Sequence, residues 1–185
     1  MTDKMILGQN FGKYSGQELQ ILISEEEIKK RITELAAQIS SDYEGRIPIF
    51  IGVLNGSFIF MSDLFREISI NGEVDFIKIS SYMDETRSSG TVLLLKDISC
   101  DITNRDVIVI EDIIDSGLTI KFIKRRLEES NTRSVRFAAL LIKELTNIDF
   151  PIDYLGFKIP NKFVVGYGLD LAQKLRNLKS IYAFK

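Results

Sequence analysis

The run Val107-Ile108-Val109-Ile110 is apolar at every position, and it passes through Glu111-Asp112-Ile113-Ile114-Asp115-Ser116-Gly117 into a segment with Ile120, Ile123 and Leu127 at helical spacing. A strand apolar on both faces must be covered on both, which places it near the centre of a parallel sheet flanked by helices. The same logic occurs once before. Ile47-Pro48-Ile49-Phe50-Ile51-Gly52-Val53-Leu54 is apolar on both faces, breaks at Asn55-Gly56-Ser57, and is followed by a predicted helix over 58–68. Two such strand–turn–helix units predict an α/β fold with a doubly wound, mainly parallel sheet.

Other segments fit that frame. Ser24 and Glu27 have the spacing of a capping box, and Ile28, Ile32, Leu35, Ala36 and Ile39 share one face of the helix that follows. Residues 74–81 and 91–95 read as strands, and the polar, aperiodic stretch 83–90 between them as a mobile loop. Residues 134–142 form another apolar stretch. The tail, 149–185, alternates short apolar runs with Pro151, Gly156, Pro160, Gly166 and Gly168, which suggests a subsidiary lobe built with the first twenty residues. At 185 residues the chain is expected to be one domain, 1–185, and it shows no internal repeat.

Composition removes whole classes of chemistry. There is no histidine, which excludes Ser-His-Asp and Cys-His catalysis, HExxH zinc sites and histidine-ligated haem. The single cysteine, Cys100, cannot form an internal disulfide, so a reducing compartment is expected, with Cys100 as inert filler. With 24 basic and 26 acidic side chains the net charge is −2, without the basic footprint of a general nucleic-acid binder. No apolar run reaches the roughly 18 residues of a membrane span, and the first residues lack a signal-peptide core. A cytoplasmic protein without membrane or nucleic-acid partners is the expectation.

Ligands of open parallel sheets bind beyond the carboxyl ends of the strands. There, residues 111–119 place Glu111, Asp112 and Asp115 before Ser116-Gly117-Leu118-Thr119 at a predicted helix start. The backbone N–H groups and hydroxyls of 116–119 would make an anion cradle at the positive end of that helix. Carboxylates beside a phosphate repel it unless they serve sugar hydroxyls, a metal or proton transfer, so a phosphorylated sugar is the ligand this pattern suits. The turn is not a Walker loop, which needs GxxxxGK[ST]; Gly166-Tyr167-Gly168 lacks the third glycine of a dinucleotide fingerprint.

Residues 107–119 as a whole resemble the phosphoribosyl pyrophosphate motif of the type I phosphoribosyltransferases. Val53-Leu54-Asn55-Gly56-Ser57, Ser81-Tyr82, Leu141-Ile142-Lys143 and Lys162-Phe163-Val164-Val165-Gly166-Tyr167-Gly168-Leu169-Asp170 narrow the resemblance to the branch acting on 6-oxopurines, hypoxanthine or hypoxanthine and guanine. It extends over residues 28–176. The resemblance implies a purine-salvage enzyme that joins hypoxanthine or guanine to phosphoribosyl pyrophosphate with magnesium, giving IMP or GMP and pyrophosphate. It also implies a small hood lobe from about 1–20 and 149–185, and a homodimer or homotetramer.

Roles follow by resemblance, residue by residue. Glu111 and Asp112 would hold the ribose hydroxyls and, with Asp170, magnesium. Asp115 would sit by purine N7 as general acid/base, and Ser116, Gly117, Leu118 and Thr119 would cradle the 5-phosphate. Leu54, Asn55 and Gly56 would form the pyrophosphate loop, with a cis peptide at Leu54–Asn55, assisted by Arg176. Lys143 would donate to the 6-oxo group, Phe163 would stack on the base, and the backbone around Val164 and Asp170 would read its edge. Ser81 and Tyr82 would head a lid that closes over the transition state. Three positions depart from the frequent pattern: Asn55 stands in place of a cation, Leu118 in place of lysine, and Leu171 where tyrosine is common.

Two other classes compete. A regulatory protein of the same fold would use the sugar-phosphate site as a sensor and bind RNA in a salt-dependent way; a magnesium phosphohydrolase would use Asp112 or Asp115 as nucleophile and yield to aspartyl-phosphate trapping. The basic cluster Lys121, Lys124, Arg125 and Arg126 reads as a solvated helix face without interleaved aromatics.

Overall fold

A computed structural model describes residues 4–82 and 91–185; the expected mobile loop, 83–90, lies outside the described residues. In chain order the elements are β1 (Lys4–Ile6), a short 3-10 segment (Gln9–Tyr14), β2 (Glu18–Ile23), α1 (Glu25–Asp42), β3 (Ile49–Leu54), α2 (Phe58–Glu67), β4 (Glu73–Tyr82) and β5 (Thr91–Lys96). There follow β6 (Asp106–Ile114), α3 (Leu118–Glu128), β7 (Ser134–Lys143), β8 (Tyr154–Ile159), β9 (Val164–Val165) and β10 (Ile181–Phe184).

Six strands form one sheet in the order β5-β4-β3-β6-β7-β8. All pairs are parallel except β4 with β5, an antiparallel edge. The all-apolar run in β6 has a direct physical reason. Val107 and Val109 pack into the core beneath α3, with Ile120, Ile123 and Leu127, while Ile108 and Ile110 pack into the opposite core with Ile32, Leu35 and Ile39 of α1 and Phe60 and Leu64 of α2. The sheet is therefore doubly wound, with α1 and α2 on one face and α3 on the other.

Local chemistry sets the helix starts. Ser24 and Glu27 make the expected capping box: the Glu27 amide donates to Ser24 Oγ at 3.2 Å and the Ser24 amide to Glu27 Oε2 at 2.8 Å. Ile28, Ile32, Leu35 and Ile39 of α1 are buried, each stabilising the fold by about 1.5–3 kcal/mol relative to exposure.

A second, antiparallel sheet joins the two ends of the chain in the order β1-β2-β10-β9. Its own core holds Leu7, Leu19, Val165 and Leu171. The stretch 149–185 divides between the two sheets: β8 lies inside it yet pairs with β7 in the large sheet, and only the residues from β9 onward enter the small one. No helix among the described residues is long and apolar enough to cross a membrane.

Candidate active site

β3 and β6 are neighbours at the middle of the large sheet, but the chain leaves β3 through α2 toward β4 on one side and leaves β6 through α3 toward β7 on the other. Connections that diverge in this way open a crevice at the carboxyl ends of the two strands. A cavity of about 410 Å³ lies there, and it brings together Leu54, Asn55, Gly56, Glu111, Asp112, Asp115, Thr119, Lys143, Phe163, Val164, Asp170 and Arg176. The residues after β3, the end of β6, the end of β7 and the small-sheet segment all contribute to its lining.

Glu111 and Asp112 sit inside the strand rather than in a loop after it. β6 keeps its pairing with β7 through Ile114, with Glu111 opposite Ala139 and Ile113 opposite Leu141, so both carboxylates are carried into the protein. Each is only 8% exposed. Burial, and then the neighbouring charge of Asp112, hold the Glu111 carboxyl well above its ordinary range; burial also raises Asp112. Asp112 Oδ1 accepts from the Ile113 amide at 2.9 Å, whereas Glu111 Oε2 is buried with no hydrogen-bond partner among the described residues. Such an atom is costly unless a ligand supplies its partner.

The Asp112 carboxylate packs on Gly56 so closely that a Cβ there would lie 1.6 Å from Asp112 Oδ2. The preceding Leu54–Asn55 peptide is cis, the form the resemblance implied.

Ser116, Gly117, Leu118 and Thr119 turn the chain from β6 into α3. Gly117 has φ +77° as the residue before the helix, a left-handed conformation natural to glycine. The Leu118 amide donates weakly to Ser116 Oγ at 3.4 Å. First-turn amides of a helix have no carbonyl partner within it, and a cleft of about 200 Å³ lined by Asp115, Ser116, Gly117 and Thr119 lies at this helix start. That cleft and the larger cavity share Glu111, Asp115 and Thr119, so one ligand can span both.

Asp115 stands at the end of β6 with its side chain 64% exposed, and Lys143, at the end of β7, reaches it: Nζ to Oδ2 is 2.7 Å. The Thr146 hydroxyl ties the adjoining turn to this strand end by donating to the Asp115 carbonyl at 2.5 Å.

From the small sheet, Val164 is buried in β9 while Phe163 is exposed at the cavity mouth, its ring 5.8 Å from that of Phe184. Arg176 Nη2 pairs with Asp170 Oδ1 at 2.7 Å, and its Nη1 donates to the Gly168 carbonyl at 2.7 Å. Asp170 Oδ2 also accepts from the Gln173 amide. Among the described residues no group of three or more His, Cys, Asp or Glu side chains could hold a metal unaided.

The cavity also takes Val53, Ile79, Ile113 and Leu169, to which sequence reasoning gave no role; their apolar character gave no signal beyond that of core residues. Ser81 and Tyr82 end β4, where their backbones pair with Val92 and Thr91; residues 83–90, which would form the rest of a lid, lie outside the described residues. On α3, Lys121 pairs with Asp149, Lys124 with Glu128, and Arg126 with Asp97. Burial and the adjacent Asp75 push the Cys100 thiol up to about 11, which suits an inert role.

Comparison with known proteins agrees with this architecture. Residues 20–171 match the model of the phosphoribosyl transferase domain. The chain is 46% identical to a hypoxanthine-guanine phosphoribosyltransferase of Streptococcus mutans and 43% identical to that of Bacillus subtilis, in each case over 90% of this chain and 93% of the relative. It is 44% identical to the bifunctional protein TilS/HprT of Listeria monocytogenes, of which it spans only 26%. A crystal structure of a hypoxanthine-guanine phosphoribosyltransferase from Bacillus anthracis superimposes with a TM-score of 0.84 at 47% identity, covering 89% of this chain and 97% of that one. With the domain match extending over residues 20–171 and these relatives aligned along most of its length, the chain belongs to the phosphoribosyl transferase family.

Proposed function

We propose that this protein transfers the 5-phosphoribosyl group of phosphoribosyl pyrophosphate to hypoxanthine or guanine, forming IMP or GMP and releasing pyrophosphate, and so serves purine salvage. The observation that carries this reading is the meeting, at one crevice, of a buried carboxylate pair, a glycine-turned helix start and a strand-end Lys–Asp pair. Each suits a different part of the two substrates.

The 5-phosphate would lie on the 116–119 turn, where first-turn amides and hydroxyls of Ser116 and Thr119 donate to its oxygens. Glu111 and Asp112 would accept hydrogen bonds from the ribose hydroxyls, which gives Glu111 Oε2 its missing partner. As the bond to pyrophosphate breaks, positive charge develops on the sugar, and two carboxylates in a water-poor site stabilise it. Lys143 would turn from Asp115 to the 6-oxo oxygen of the base. Asp115 would then be free to exchange a proton with N7 while a ring nitrogen bonds to the anomeric carbon and the electron pair of the broken bond leaves with pyrophosphate. Phe163 would cover the base, Val164 and Asp170 would present backbone to its edge, and Leu54, Asn55, Gly56 and Arg176 would hold pyrophosphate.

The donor set fits magnesium brought in with the diphosphate, because that ion usually takes one or two carboxylates and completes its shell with phosphate oxygens and water. Glu111, Asp112 and Asp170 are the carboxylates that would serve it. Bound there, magnesium would neutralise charge on the leaving pyrophosphate. A cytoplasmic homodimer or homotetramer belongs to the same proposal and rests on family resemblance. Ser81 and Tyr82 at the head of a closing lid do as well.

The test is stoichiometry. Incubation with phosphoribosyl pyrophosphate, magnesium and hypoxanthine should yield one IMP per pyrophosphate released. Pyrophosphate and free ribose 5-phosphate without IMP would make the protein a hydrolase instead.

A further inference from the structure

The two halves of the cavity come from different sheets. Leu54, Asn55 and Gly56 follow β3 of the large sheet and lead into α2, whereas Leu169 and Asp170 follow β9 of the small one. Away from the cavity, a side-chain hydrogen bond spans these halves: Tyr167 Oη donates to Asp63 Oδ2 at 2.5 Å, across 104 residues of sequence. Asp63 lies in α2, the helix that starts directly after the 54–57 turn. Tyr167 is buried, lines no part of the 410 Å³ cavity, and contributes instead to a separate 160 Å³ cavity behind it, with Asp63 and Ile59.

The backbone around Tyr167 is held in an uncommon state. Tyr167 has φ +50°, which bulky residues seldom adopt, between Gly166 and Gly168, both at φ +97°. Its amide donates to the Leu178 carbonyl, and that of Gly168 to the Arg176 carbonyl. Gly168 itself lies directly against the turn of the other half: a Cβ there would be 2.1 Å from the Gly56 carbonyl oxygen. Two points of contact, Gly168 on Gly56 and Tyr167 on Asp63, therefore set the spacing between the turn at 54–56 and the segment that carries Asp170 and anchors Arg176.

We propose that Tyr167 and Asp63 are positioning residues: their hydrogen bond fixes the distance between the two loops that close on the diphosphate, without touching substrate. The inference rests on the proposed function, since it assigns these loops to pyrophosphate. The 6-oxo group of the base is held elsewhere, by Lys143 at the end of β7, so loosening this bond should act more on the sugar substrate than on the base. Asp63 is only half-buried, so water can replace the lost donor and the fold should tolerate its loss.

The experiment compares the wild type, Tyr167→Phe and Asp63→Asn, measuring KM for each substrate, kcat and Tm. Small displacements of reacting groups can cost on the order of 100-fold in rate. Tyr167→Phe should raise KM for phosphoribosyl pyrophosphate and lower kcat/KM for it by about 10–100-fold, with a clearly smaller rise in KM for hypoxanthine. Asp63→Asn keeps an oxygen acceptor for the tyrosine hydroxyl and should stay within about 3-fold of wild type. Unchanged kinetics in Tyr167→Phe would overturn the proposal. So would equal rises in both KM values, or an Asp63→Asn variant as damaged as Tyr167→Phe. A wild type that fails to turn over hypoxanthine would instead overturn the functional reading and this inference with it.

Discussion

Lys143 Nζ lies 2.7 Å from Asp115 Oδ2, so the cation expected at the base's 6-oxo group and the acid expected at N7 are bonded to each other across the ends of β7 and β6. A base entering between them exchanges one ion pair for two hydrogen bonds. Only 12% of the Lys143 side chain is exposed, so its hydrogen-bonding direction is restricted to the cavity side, whereas Asp115 is largely solvated and can shift. Replacing Lys143 with Met should raise KM for hypoxanthine by about 10–100-fold, the range for losing a hydrogen bond to a charged group. KM for phosphoribosyl pyrophosphate should hardly move. Steady-state kinetics with each substrate varied in turn checks this, and a rise confined to the sugar substrate would contradict it.

Asp115→Asn keeps the shape and a hydrogen bond to Lys143 but removes the proton acceptor. Turnover should fall by roughly 10²–10⁴-fold, the usual share of general acid/base catalysis. Binding of phosphoribosyl pyrophosphate, followed by calorimetry, should be largely retained. Near-normal turnover would remove Asp115 from the proton transfer.

The buried Glu111 gives a prediction on stability. Burial, then Asp112, hold its carboxyl well above the ordinary range in the folded chain, while the unfolded chain titrates at the ordinary value. The folded state therefore binds the proton more tightly. Stability contributed by this group falls as pH rises from the ordinary carboxylate range through the raised folded value. Glu111→Gln removes that loss, so its Tm should exceed the wild type's at pH 8, with the gap narrowing toward pH 4.5; in a domain of this size each 1 kcal/mol shifts Tm by about 2–4 °C. Activity should fall in the same variant. Thermal unfolding across that pH range tests the sign, and a lower Tm at pH 8 would reverse it.

Gly117→Ala places a Cβ at a φ of +77° and within 2.7 Å of the Ile148 side chain. The left-handed backbone alone costs about 1–2 kcal/mol, and the turn that should hold the 5-phosphate must shift to relieve the contact. Affinity for IMP should drop by at least about tenfold, measurable by calorimetry. Affinity unchanged within error would place the phosphate elsewhere.

The frame of this fold was legible because it rests on period. The all-apolar runs in β3 and β6 and the capped stripe of α1 state which faces must be covered, and the structure covers them. Glu111 and Asp112 were harder to place: carboxylates after an apolar run read as a loop, yet strand pairing with β7 continues past them and carries both inside. The contacts that shape the cavity are long-range. Lys143 with Asp115, Gly56 with Asp112, and Tyr167 with Asp63 depend on which strand ends the topology brings together, and no local spacing encodes that. Nor did the first residues show a strong strand pattern: β1 pairs only with β2, and β2 gains its second partner when β10 returns from the other end of the chain.

The most direct test of the central claim is pyrophosphate release with phosphoribosyl pyrophosphate and magnesium, run separately with hypoxanthine, guanine, xanthine, adenine and uracil. Turnover is expected with hypoxanthine and guanine, and none with adenine, whose 6-amino group cannot accept from Lys143, or with uracil, which has no N7 for Asp115 to serve. Silence with all five bases, in a protein that still binds phosphoribosyl pyrophosphate, would contradict it and make this a sugar-phosphate sensor.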